Sequence, residues 1–207
     1  MAYKNFIWDF DGTLFDTYQG MTEALIAAAK TYQIQLEPDF TLGLLKVSMG
    51  HALKTLSQTY DLDPEVFHKK YVSEEIKRMP SGFPPFADTR QALEGLCNRG
   101  GRHFIMTHRD QTTVEILKHF RMDAYFDEVV IKEDGFPRKP APDAFMHILT
   151  SHDLKLEETL VIGDRDLDLI GANKAHIDSC LIRDPFNQEA EKYATHVVAN
   201  RLGVLLL

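Results

Sequence analysis

Short apolar runs and stretches of helical period alternate along most of this chain. Phe6-Ile7-Trp8 is a compact apolar run that stops at Asp9 and is followed by Gly12, the pattern of a buried strand and its loop. Beyond Pro85 the alternation becomes regular. Helical spacing over 87–98 closes at Gly100-Gly101, and Phe104-Ile105-Met106 forms the next strand. A helix over 111–120, a strand over 128–131, a helix over 142–152, a strand over 159–162 and a helix over 166–175 follow. Two further short strands fall at 179–182 and 196–199. Strands alternating with helices predict parallel βαβ units with helices on both faces of one sheet.

The stretch from Tyr18 to Ser81 breaks this rhythm. Met21, Leu25, Ala28 and Tyr32 recur at helical spacing. Pro38-Asp39 opens a second pattern running through Leu42, Leu45, Met49, Leu53 and Leu56. Asp61-Leu62-Asp63-Pro64 interrupts it, and a third helix follows over 65–79, with Asp63 as N-cap and Pro64 at its first position. Pro80-Ser81-Gly82-Phe83-Pro84-Pro85 is the densest cluster of breakers in the chain. The expectation is an α/β, Rossmann-like doubly wound core over 1–16 and 83–207, interrupted by a helical insertion of three helices over 17–82.

Composition narrows the partners. The 207 residues are 44% hydrophobic and carry 23 basic against 31 acidic residues, for a net charge of −8. That length buries a core without metal or disulfide staples. A net-acidic surface disfavours nucleic acid and anionic membranes as partners, yet allows a locally positive site for a small anion. No apolar run reaches the roughly 18 residues of a membrane span, and Met1-Ala2-Tyr3-Lys4 opens no secretory signal. Cys97 and Cys180 have no metal-type spacing and read as small core fillers. A cytoplasmic location and a monomer or weak homodimer are the expectations.

In an open parallel sheet, ligands bind at the carboxyl ends of the strands. Asp9-Phe10-Asp11-Gly12-Thr13 follows the first strand, Thr107-His108-Arg109 the second, and Gly163-Asp164-Arg165-Asp166-Leu167-Asp168 the fourth. Arg138-Lys139-Pro140 precedes the helix between the last two strands. This ordered set resembles the haloacid dehalogenase-type hydrolase superfamily, which is mostly phosphatases. Asp9 to Thr13 match its first motif, Thr107 its second, Lys139 its third, and Gly163-Asp164 with Asp168 its fourth. The insertion resembles the small α-helical cap of the phosphoglycolate phosphatase-like and β-phosphoglucomutase-like members. The resemblance implies an ion held by the Asp9 carboxylate, the Asp11 main-chain carbonyl and the Asp164 carboxylate. It also implies that the cap favours small molecules over phosphoproteins.

Physical chemistry assigns the same residues. A carboxylate at a fixed strand end can attack phosphorus and form an aspartyl-phosphate, and Asp9 is that residue. Asp11 suits a general acid that protonates the leaving oxygen and later activates water. Gathering Asp9, Asp11 and Asp164 demands a cation among them, and oxygen ligands beside a phosphate select Mg²⁺. Asp168 fits an outer role, holding metal-bound water or pairing Lys139. Thr107 and the main-chain amides near His108 and Arg109 supply donors to the phosphoryl oxygens. Lys139 offsets the charge of phosphate and nucleophile, and Gly12 lets the loop approach the ligand.

Other readings stay open. Asp166 reads as a solvent-facing acid at a helix start, and Lys46, Ser48 and His51 are candidates for touching the non-phosphate end of the substrate. The leading reading is a Mg²⁺-dependent phosphatase acting on a small phosphorylated metabolite. A phosphosugar mutase and a non-catalytic regulatory domain that keeps the fold are the alternatives. Asp11 argues against dehalogenation, and Gly163 tilts the balance from mutase toward hydrolysis.

Overall fold

The computed structural model describes residues 3–207; Met1 and Ala2, where the stretch read as lacking a secretory signal begins, lie outside the described residues. The chain divides into two compact units, one comprising the segment up to Phe15 with Pro85–Leu207, the other Asp16–Pro84. In chain order the elements begin with strand β1 (Asn5–Trp8) and helices α1 (Thr17–Lys30), α2 (Pro38–Val47), α3 (Met49–Tyr60) and α4 (Pro64–Ile76). Helix α5 (Thr89–Cys97), β2 (Arg102–Met106), α6 (Thr112–His119), β3 (Phe126–Val130) and α7 (Asp143–Ser151) come next. Strand β4 (Thr159–Gly163), α8 (Asp166–Lys174), β5 (Asp178–Ile182) and β6 (His196–Val198) complete the set.

The strands form one six-stranded sheet in the order β3-β2-β1-β4-β5-β6. Every pairing is parallel. The expected Rossmann-like α/β class is therefore what the chain adopts. β1 is buried at all four positions, as a strand covered on both faces must be. Its alternating side chains feed two layers. Ile7 joins Phe104, Met106, Val130 and Val161 beneath Phe145 and Ile148 of α7 and Ala172 of α8. Phe6 and Trp8 point the other way, and their rings lie 5.5 and 6.2 Å from the imidazole of His103.

The helical unit has its own core, built from Tyr18, Leu25, Ala28, Leu44, Leu45, Leu56, Phe67 and Tyr71. It holds four helices where periodicity predicts three. The pattern running from Leu42 to Leu56 is cut at Ser48, whose backbone is extended (φ −177°, ψ 158°). The Ser48 hydroxyl then accepts the amide hydrogen of His51 at 2.9 Å and caps α3. Residue type, not spacing, carried that break. The Asp63 cap is as expected, accepting from the amides of Glu65 and Val66 at 2.9 and 3.0 Å.

Cys180 is buried, but Cys97 is exposed at the end of α5, so the core-filler reading holds for one thiol only. Among the described residues, no helix is long and apolar enough to cross a membrane.

Candidate active site

The strand order reverses direction between β1 and β4, and a crevice opens at such a reversal beyond the carboxyl ends of the strands. Asp9 and Asp164 are the residues that leave those two strands. Trp8 is in register with Ile162, and the Asp9 amide donates to the Ile162 carbonyl at 2.8 Å, so the ladder itself sets Asp9 in place. Thr107 leaves β2 next door, its amide held by the Val130 carbonyl at 3.0 Å.

Lys139 joins these strand ends. Its Nζ donates to Asp9 Oδ1 and to Asp168 Oδ1, both at 2.6 Å, with all three side chains at most 3% exposed. Asp168 is buried on the first turn of α8, and its Oδ2 accepts the Arg165 amide at 3.3 Å. Gly163 makes that placement possible: a Cβ there would lie 2.5 Å from the Asp168 carboxyl group. Asp164, 1% exposed, completes a group in which one carboxylate oxygen each from Asp9, Asp164 and Asp168 lies within 4.8 Å of the others. Asp168, expected in an outer role, thus stands in the innermost cluster.

The charges in this cluster do not balance. Burial pushes the Asp9 carboxyl up to about 7; Lys139 and Arg165 oppose that, while Asp168 and Asp164 reinforce it. Burial alone would lower the Lys139 ammonium, but Asp168 and Asp9 more than offset it and hold it above the ordinary lysine range. Three close carboxylates against one ammonium leave room for a further cation. The donors are all oxygen, so the residues present fit a hard divalent ion such as Mg²⁺.

Asp11 lies outside that cluster. Arg109 Nε donates to Asp11 Oδ1 at 2.8 Å, with the arginine side chain 7% and the aspartate 21% exposed. The Thr107 hydroxyl accepts the Arg109 amide at 3.1 Å, so that amide is already engaged. His108 acts through its ring: Nε2 accepts the Lys139 amide hydrogen at 2.8 Å. Burial, then Lys139, Arg138 and Arg165, push the His108 imidazole down to about 3, which keeps it neutral. Gly12 takes φ +80°, a conformation that favours glycine, and its amide closes a turn onto the Phe15 carbonyl at 2.8 Å.

Two braces were missed in the sequence. Arg201, near the C-terminal end, donates from Nε to the Thr13 carbonyl at 2.6 Å and from Nη2 to the Gly12 carbonyl at 3.1 Å. Asn187 Nδ2 donates to the Asp164 and Ile182 carbonyls at 2.9 and 2.8 Å. The pairing of Arg109 with Asp11 was also unforeseen, although Arg109 stood in a motif already singled out. Arg201 and Asn187 carried no comparable signal, because neither lies in such a motif.

A parallel sheet thus gathers buried acids and a lysine at its reversal point, an arrangement suited to phosphoryl transfer. The haloacid dehalogenase-like hydrolase profile matches residues 6–182, and the chain belongs to that family. It is an enzyme of the phosphatase class. A 5'-nucleotidase of Pseudomonas aeruginosa is 30% identical, over 97% of this chain and 93% of that protein. Pyrophosphatase PpaX of Bacillus anthracis is 23% identical over 100% of this chain and 96% of its own length. The crystal structure of a hydrolase from Streptococcus pneumoniae is 34% identical, with a TM-score of 0.70 over 89% of this chain and 95% of that one.

Proposed function

We propose that this chain is a Mg²⁺-dependent phosphatase that hydrolyses a small phosphorylated metabolite through an aspartyl-phosphate on Asp9. The observation that carries the reading is the dry contact of Lys139 with Asp9 and Asp168 at 2.6 Å, at the reversal point of the sheet. Asp9, Asp164 and the Asp11 main-chain carbonyl are the groups we assign to the ion, with Asp168 beside them. When bound, the ion supplies charge neutralisation for the approach of an anionic substrate.

Lys139 holds Asp9 Oδ1, while the Thr13 hydroxyl contacts Oδ2 at 3.4 Å. The nucleophile therefore enters the reaction already oriented. An Asp9 oxygen attacks phosphorus, the bond from phosphorus to the leaving oxygen breaks, and Asp11 gives that oxygen a proton. Water then attacks the phosphorus of the acyl phosphate and loses a proton to Asp11, and the bond to Asp9 breaks. The sum is ester plus water giving alcohol plus phosphate, with both aspartates restored. Thr107, His108 and Gly12 line the phosphoryl side in this reading, and the helical unit serves as the cap that limits substrate size.

Nucleotides and pyrophosphate are natural first substrates to try, because the relatives are named for them. Wild type and Asp9→Asn would be screened across phosphorylated metabolites with and without Mg²⁺. We expect phosphate release that needs both Asp9 and the metal. An Asp9→Asn protein that keeps most of its rate would sink the reading. Conversion of a hexose 1-phosphate to its isomer with little free phosphate would instead establish the mutase. The free thiols Cys97 and Cys180 suit a reducing cytoplasm.

A further inference from the structure

We propose that Arg201 is a positioning residue for the reaction: from the far end of the chain it holds the Asp11-Gly12-Thr13 turn in the shape that sets nucleophile and proton carrier against the substrate. This role rests on the phosphatase reading and extends the site to a residue that lies in none of its motifs.

The turn has its amide hydrogens on the inside. Those of Thr13, Leu14 and Phe15 all reach the Phe10 carbonyl, at 3.4, 3.1 and 3.1 Å. The carbonyls of Gly12, Thr13 and Leu14 must find donors elsewhere, and a buried carbonyl without one is costly. Arg201 meets the first two, through Nη2 at 3.1 Å and Nε at 2.6 Å. The Phe86 amide at 3.1 Å and the Thr89 hydroxyl at 2.8 Å meet the third. Three successive peptide planes are thereby fixed from outside. Thr13, whose hydroxyl donates to Asp9 Oδ2 at 3.4 Å, and Asp11 are joined to these planes. A tilt of the Gly12–Thr13 peptide carries both side chains with it, and displacing a reacting group by about 1 Å costs on the order of 10²-fold in rate.

Distances rank the contacts of the guanidinium. Its ion pair with Asp88 is the loose one, with Nη1 3.7 Å from Oδ1, and the turn carbonyls take the close contacts. The guanidinium carbon lies 3.5 Å from the centroid of the Phe86 ring, which fixes the plane of the fork. The backbone of Arg201 is held as firmly. Its amide donates to Asp88 Oδ2 at 2.9 Å, and Asn200 Oδ1 accepts the Gly203 amide at 3.2 Å. Leu205 packs so closely on α5 that a Cβ at Gly95 would lie 2.8 Å from it. A side chain serving only to pair Asp88 would close that gap; this one gives its best donors to the catalytic turn. A lysine ammonium lacks the planar fork that meets two successive carbonyls at once.

Wild type, Arg201→Ala, Arg201→Lys and Asp88→Asn would be compared by steady-state hydrolysis of p-nitrophenyl phosphate at saturating Mg²⁺ and by hydrogen exchange of the segment 10–15. Arg201→Ala should lower kcat by about 10- to 100-fold while KM changes by less than about threefold, the split expected of misplaced reacting groups. Arg201→Lys keeps the charge without the fork and should stay at least about threefold below wild type in kcat, which decides the matter if the alanine variant does not fold. Asp88→Asn keeps an acceptor for the Arg201 amide and loses only the loose ion pair, so its kcat should stay within about twofold of wild type. Exchange in the turn should quicken by about tenfold or more in Arg201→Ala and not in Asp88→Asn. A folded Arg201→Ala protein with wild-type kcat, a loss confined to KM, or an Asp88→Asn protein that falls as far overturns the inference. If phosphate release still requires Asp9 in that event, the phosphatase reading survives; a wild type that releases no phosphate from any substrate of the screen takes down both.

Discussion

Asp9 and Asp11 lie two residues apart and carry the same functional group, yet they belong to two different environments. Asp9 sits on a dry floor where carboxylates outnumber the lysine that pairs them, and burial pushes its pKa up to about 7. Asp11 sits on a wetter rim, 21% exposed, in a single ion pair with Arg109. The floor is set by the β1–β4 ladder and cannot yield without disturbing the sheet. The rim depends on a side-chain contact that can be exchanged. A nucleophile needs the first environment and a proton carrier needs the second.

The sharpest way to break this comparison is at Asp9. Asp9→Asn should lower phosphate release by about 10⁴-fold or more, while the thermal midpoint stays within a few degrees of wild type. Next comes Lys139→Met, which leaves buried carboxylates without their ammonium. Turnover should fall by about 10³-fold, and urea unfolding should show a loss of about 3–5 kcal/mol. A stability loss below about 1 kcal/mol would place Lys139 on the rim rather than the floor. Asp11→Asn should cost turnover about 10²-fold with little change in unfolding. An equal loss of stability from both sites would erase the distinction.

The smallest effect falls on a group whose shift is dominated by burial. His103 is fully buried, and its Nδ1 accepts from Trp8 Nε1 at 3.1 Å. Burial pushes its imidazole down to about 4, against the Leu93 backbone and Asp127. As pH falls through 6.5 the unfolded chain takes up a proton there, while the folded chain does not until about 4. Stability is therefore lost across that window, on the order of 2 kcal/mol at its lower end. His103→Asn should flatten the acid side of a stability–pH curve measured by urea unfolding, and coincident curves would assign the slope to other groups.

The α/β unit was legible because each of its signals is local. Phe6-Ile7-Trp8 and Phe104-Ile105-Met106 are short apolar runs, and a parallel sheet buries such runs on both faces. Lys139 and Asp164 were legible because they lie in motifs at the carboxyl ends of strands or at a helix start. The break at Ser48 was not, because Leu45, Met49 and Leu53 keep helical period straight through it. Arg109 meeting Asp11, and Arg201 meeting the carbonyls of Gly12 and Thr13, bridge 98, 189 and 188 positions of sequence. Nothing local encodes such contacts; they exist only once the sheet has closed.

The adjacency of β1 and β4 has a consequence for assembly. Asn5 pairs with Thr159, so this ladder joins two strands that are remote along the chain. Bringing such distant segments together is slow. Until that pairing forms, Asp9 and Asp164 stay apart, and the acidic cluster cannot exist before the long-range ladder does.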